Sequence, residues 1–148
     1  MRTQRELYTE KRVVFEYERD ECLQCGQPLT TVYTSGWKTV QTMREVIMIA
    51  QQPKRCQNME CLGCASLLRS VRWRQIAPMG CTYGYAVITQ IGWQRQNQRQ
   101  TFSEIHLDLQ ARMLISETQV RALYTYRYLA LLACHERQQM EHLPTIAK

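Results

Sequence analysis

Apolar positions along this chain follow two rhythms. In the first half they alternate, as one face of a strand does. "RVVFEY" sets Val13, Phe15 and Tyr17 on one side of an extended segment. "TTVYT" and "KTVQTM" follow, joined by "SGW", a turn signal, and then "VIMIAQQ", which is rich in β-branched residues. These segments predict a small antiparallel sheet between Cys22 and about residue 75.

From Pro78 onward the spacing is that of helices. "YGYAVITQIGWQR" places Tyr83, Val87, Ile88, Ile91 and Gln94 or Arg95 along one side. "TFSEIHLDLQ" begins with Thr101 and has Glu104 three residues on, the pattern of a capping box, with Phe102, Ile105 and Leu109 as its inner face. "ISETQVRALYTYRYLALLA" repeats the arrangement with Ser116 and Gln119, and Ile115 and Val120 are placed as a hydrophobic staple. Its inward stripe is Val120, Leu123, Arg127 or Tyr128, and Leu131. The closing "RQQMEHLPTIAK" is polar, and Pro144 argues that it frays.

Five of the seven cysteines fall in two tight groups, "ECLQCG" and "KRCQNMECLGC". An odd total cannot close entirely into disulfides. The start, "MRTQRELYTEKRVVFEYERDE", has no apolar block resembling a signal peptide, and "YLALLAC" is too short to span a bilayer. The expectation is a cytoplasmic protein without a membrane partner, where cysteines at short spacing bind metal more often than they pair. Cys22 and Cys25 make a CxxC whose following Gly26 lets backbone amides curl toward the sulfurs. A closed structural zinc site takes four ligands. The second group offers Cys56, Cys61 and Cys64, so one is surplus, and spacing alone leans toward Cys61 with Cys64. A redox pair would want a βαβ context, which does not follow Cys25. A fifty-residue sheet with few large apolar side chains needs such a staple, and structural zinc contributes about 10–16 kcal/mol of apparent folding free energy. Four thiolates leave the ion no open position, so its role is structural. Cys81 and Cys134 read as small core residues, and His106 and His135 as isolated surface or boundary residues.

Charge adds a partner. The net charge is +6, and between Cys61 and Ser103 there is no acid, while Arg69, Arg72, Arg74, Arg95 and Arg99 all lie there. Forked guanidinium donors suit phosphate, and the glutamines of "GWQRQNQRQ" add neutral donors. Two capped helices joined by a short turn fit a helix-turn-helix, although an ordinary helical hairpin has the same pattern. In the helix-turn-helix reading the second helix enters the major groove of duplex DNA, with Thr118, Gln119, Arg121, Ala122 and Thr125 toward the bases and the five arginines on phosphate.

In order, "CLQCGQPL", "KTVQTM", "PKRCQNMEC", "APMGCTYGYAVITQIGWQR", "TFSEIHLDL" and "ISETQVRAL" resemble the N-terminal region of bacterial insertion-sequence transposases with an aspartate-aspartate-glutamate catalytic domain. The resemblance spans roughly Val13 to Leu132. It implies an α+β chain: a zinc-ribbon-like antiparallel sheet at 1–76, a helix-turn-helix domain at 77–135 and a polar tail at 136–148. It implies Cys56 and Cys61 as the second ligand pair, with Cys64 as the rival, and "ISETQVRAL" as the recognition helix. The family's catalytic domain is expected to be missing: Asp20 and Asp108 are the only aspartates, and only Glu136 and Glu141 follow Leu132. Strand transfer needs clustered carboxylates holding two metal ions, so no enzyme is expected. The resulting expectation is a zinc-containing binder of double-stranded DNA, as a homodimer or with a catalytic or effector partner in trans. The rival is a protein- or RNA-interaction subunit of a larger nucleoprotein complex.

Overall fold

Strand β4 (Glu45–Gln52) ends where Pro53, with no amide hydrogen to give a ladder, interrupts the chain. After this one residue, β5 (Lys54–Cys56) begins in a different sheet. The computed structural model describes residues 9–142. They divide into two compact units, one ending at Tyr85 and the other beginning at Ala86. The protein is α+β.

In the first unit β4 is the central strand. β1 (Thr9–Glu16) lies parallel to it, with Val13 opposite Ile49, and β3 (Lys38–Gln41) lies antiparallel, with Val40 opposite Ile47. The sheet is therefore mixed, correcting the antiparallel expectation. The reason lies in β1, which precedes the cysteines and returns to pair with a strand some thirty-five residues later, a non-local choice invisible to periodicity. Val40, Ile47 and Ile49 pack with Trp73 and Ala77, and Val13, Phe15 and Ile76 close around them.

The second correction concerns "TTVYT". β2 (Leu29–Thr31) does not form a hairpin with β3; it pairs antiparallel with β5 in a separate two-stranded ribbon, Leu29 opposite Cys56. Lys54 ties this ribbon to the end of β1. Its buried Nζ lies 2.9 Å from Asp20 Oδ1 and 3.1 Å from Glu16 Oε1, and donates to the Arg19 carbonyl at 3.1 Å.

The second unit is helical: α1 (Tyr85–Gln96), α2 (Phe102–Gln110) and α3 (Glu117–Ala122). A π-helical stretch, Leu123–Tyr128, leads directly into α4 (Leu129–Glu141). Both capping boxes are present: Glu104 N–H donates to Thr101 Oγ1, Gln119 N–H donates to Ser116 Oγ, and each acid or amide side chain accepts the cap's own N–H. Val87, Ile88 and Ile91 of α1, Ile105 and Leu109 of α2, and Val120 of α3 are buried. Gly92 is required by close packing: a Cβ there would fall 2.1 Å from Cε2 of Tyr128.

The inward stripe stops early. Leu131 and Cys134 are exposed, and α4 has no buried residue, so Cys134 is not the core cysteine its apolar neighbours suggested. Cys81 is buried. Helix continues to Glu141; Pro144 and the rest of the closing segment, like the charged start before Thr9, lie outside the described residues. Among the described residues, no helix is long and apolar enough to cross a membrane.

Candidate metal centre

The turn before β2 is built around Gly26, whose φ of 72° is a left-handed conformation that favours glycine. Its N–H donates to the Cys22 carbonyl at 2.9 Å, while the Cys22 N–H donates to the Gln27 carbonyl at 2.8 Å. This tight loop turns Cys22 and Cys25 toward the ribbon. Cys56 is the last residue of β5, and Cys61 caps a 3-10 turn, Leu62–Ala65, with its sulfur accepting the Gly63 N–H at 3.4 Å.

Together these elements bring the sulfurs of Cys22, Cys25, Cys56 and Cys61 within 4.8 Å of one another. Cys22 Sγ and Cys61 Sγ are 3.8 Å apart, and Cys25 Sγ and Cys56 Sγ 3.4 Å. Four sulfurs at about 2.3 Å from a central ion would stand about 3.8 Å apart, so the cage has the right size for a tetrahedral site. Cys64 lies outside it, its Sγ facing the Met59 carbonyl at 3.8 Å. Leu29, Tyr17 and Leu68 surround the cage with apolar surface.

The backbone prepares all four sulfurs to carry charge. Amides of Cys25 and Gln24 donate to Cys22 and hold its thiol down at about 7. The Gln27 amide lowers Cys25 likewise. At Cys56 the Asn58 amide also pulls downward, but burial and the neighbouring thiols outweigh it and push the group up to about 12. At Cys61 the Gly63 amide is overcome in the same way, and the net direction is upward. Each sulfur thus accepts from the amide two residues ahead, yet crowding opposes ionising all four. A divalent cation removes that opposition, since metal binding and thiol deprotonation are coupled. The cage could hold a metal ion.

No protein-family model, curated protein or solved structure matches the chain. The resemblance to transposase end-binding regions therefore rests on the order of sequence motifs alone.

The other expected site residues are distributed between the units. Arg69, Arg72 and Arg74 are exposed on the first, where Arg69 donates to Tyr33 Oη at 2.9 Å. Arg95 and Arg99 belong to the second; Arg99 is exposed and holds a positive φ of 53°. Thr118, Gln119, Arg121 and Thr125 are exposed, and Ala122 is half-buried. Gln119 Oε1 accepts the Ser116 N–H at 2.9 Å, so a paired contact from Gln119 to adenine would open the capping box. His106 is half-buried, with Nε2 3.0 Å from the Ile115 carbonyl oxygen, and His135 is exposed.

Two features escaped the sequence reading. Buried Lys54 gave no signal, because Glu16 and Asp20 are far from it in the chain. The second is an aromatic cluster on the helical unit, where Arg95 and Arg121 both lie over the Phe102 ring. Its sequence pattern marks Phe102 only as part of an apolar face.

Proposed function

We propose that this chain is a non-catalytic, zinc-dependent protein that binds duplex DNA, organised like a zinc ribbon followed by a helix-turn-helix. Zinc suits the four-thiolate cage, because soft sulfur ligands in a closed tetrahedron favour it and leave no position to activate water. The observation that carries the DNA reading is the capped pair α2 and α3, with Thr118 and Arg121 of α3 and Thr125 of the following π-helical stretch exposed. The acid-free run bearing Arg69, Arg72 and Arg74 supports it as a phosphate-binding surface. A transposon end, or a site derived from one, is the target class that the motif order suggests.

The test is selection of bound oligonucleotides from a random duplex pool, with and without a zinc chelator. An enriched sequence that vanishes on chelation is expected; no enrichment in either arm defeats the reading. Competition with duplex RNA and single strands at fixed salt tests the RNA alternative, which the narrow A-form major groove disfavours for a reading helix.

A second reading has its own observation. None of the thirteen residues of α4 is buried, and Leu129 and Leu131 are exposed on it. This exposed helix would serve a protein partner or a second copy. Light scattering on the free protein tests it: a strictly monomeric chain at all concentrations removes the homodimer.

A further inference from the structure

Phe102 is the first residue of α2, immediately after its cap Thr101. The guanidinium carbon of Arg95, near the end of α1, lies 4.5 Å from its ring centroid, and that of Arg121, from α3, lies 4.9 Å away. Two cations from separate helices are therefore gathered on one ring, closer together than the roughly 10 Å over which dilute salt screens charge. Tyr124 meets the same ring edge-on at 5.5 Å and stacks on Tyr128 at 5.6 Å.

The local compensation for these charges is small. Arg95 donates to the Gln100 carbonyl at 3.1 Å, and among the described residues it makes no ion pair. Arg121 has one carboxylate neighbour, Glu117, at 3.5 Å. Each ring contact is attractive to its cation and fixes the guanidinium plane. Bringing two such forks together has the opposite electrostatic sign, and an anion with several acceptor oxygens reverses it.

We propose that Arg95 and Arg121, gathered on Phe102, form a phosphodiester clamp of the helical unit. The inference deepens the duplex-binding reading and rests on it. It also moves Arg121 from base recognition, where the sequence placed it, to the DNA backbone. Phe102 is then a positioning residue that orients both arginines and touches no nucleotide. Glu117 competes with phosphate for Arg121.

The test uses the full, zinc-loaded chain and a labelled random duplex, with affinity measured over a salt series. Arg95→Ala and Arg121→Ala should each weaken binding equally on selected and random sequences and lower the salt slope by about one. The double variant should lose less than the sum of the two, because both arginines serve one phosphate. Phe102→Leu should weaken binding with both charges present, and Phe102→Tyr should restore it; thermal melting confirms that each variant is folded. Glu117→Gln should tighten binding. Arg121→Ala that shifts base preference while leaving the slope unchanged overturns the clamp. A separate titration with inorganic phosphate follows the Arg95 and Arg121 side-chain N–H signals by NMR. Shifts in the wild type that Phe102→Leu abolishes uphold the clamp even if no duplex is bound, which would defeat only the broader reading. Normal duplex binding with no shift at either arginine, and wild-type slopes in both variants, defeats the clamp and leaves the broader reading standing.

Discussion

The helical unit completely buries the branched side chains of Val87, Ile88, Ile91, Ile105 and Val120, whereas Val40 is the one large aliphatic side chain buried to that degree among the described residues of the sheet unit, beside Ala50, Pro53, Cys56 and Ala77. At about 25 cal/mol per Å² of apolar surface removed from water, the first set stabilises a fold that the second cannot match. Part of the sheet unit's interior is sulfur instead: Cys22, Cys56 and Cys61 sit with Leu29 in a second, smaller core. Helical hydrogen bonds close locally and capped ends satisfy what remains. The ribbon of β2 and β5 has three residues per strand and cannot stand alone. One unit rests on packing alone, while the other adds to its apolar core a four-cysteine cage that could hold a metal ion.

Metal removal breaks this comparison open with the largest effect. A strong chelator should abolish ordered structure in the sheet unit, read as loss of the buried Trp73 fluorescence signature, while helical circular dichroism largely persists. Cys56→Ser should do the same without chelator, and Cys64→Ser should leave metal stoichiometry by native mass spectrometry unchanged. Equal loss of both signals on chelation would mean that the helices also depend on the ion.

The opposite perturbation is Gly92→Ala. The new methyl meets the Tyr128 ring, with Cε2 at 2.1 Å, and overpacking of this kind costs about 1–3 kcal/mol. Chemical denaturation should show the loss in the helical signal alone, with the metal affinity of the cysteine cage untouched. Gly92→Ala combined with Tyr128→Ala should recover part of it, because the clash disappears. A smaller loss, about 1 kcal/mol, is expected for Ser116→Ala, which removes the oxygen accepting the Gln119 N–H. Its readout is the urea midpoint of the helical transition.

The same division governed what could be read from the chain. Thr101 with Glu104 and Ser116 with Gln119 were legible because a capping box is a four-residue device. Val87, Ile88 and Ile91 were legible because burial on one helix face has a fixed period. The cysteine groups were legible as metal-type spacings; spacing alone leaned toward Cys61 with Cys64, and the motif resemblance pointed instead to Cys56 with Cys61, the pair that the cage contains. Strand pairing was legible only in part: the strands between Cys22 and residue 75 do pair antiparallel, but β1 could alternate correctly without disclosing that its neighbour is β4, in parallel. "TTVYT" next to "KTVQTM" suggested a hairpin because proximity in sequence is the default for antiparallel strands, and the ribbon partner beyond Pro53 overrode it. Leu131 and Cys134 kept the helical period beyond the point where anything packs against it. The Arg95 and Arg121 pair was hidden for the same reason as Lys54, since its members meet only in three dimensions.

The smallest expected effect concerns Lys54, the one buried cation among the described residues of the sheet unit. Its hydrogen bond to Asp20 leads the forces that hold the ammonium above its ordinary value of 10.5, burial pulls the other way, and Glu16 adds to the rise. A lysine whose folded value is raised contributes stability that is fully present below its unfolded value and is lost as pH rises through the folded one. The sheet unit should therefore weaken above pH 10.5, and Tyr83, which burial pushes up to about 12, adds to the decline in the same range. Asp20 is 92% exposed, so water screens the pair and its contribution is about 1 kcal/mol or less. Asp20→Asn should remove the part of the alkaline decline in the urea midpoint that Lys54 carries, and Glu16→Gln less of it, because Asp20 supplies the larger interaction. The rest belongs to Tyr83 and should persist in both variants. If Lys54→Met keeps the full alkaline slope, the ammonium is not what links β5 to the end of β1.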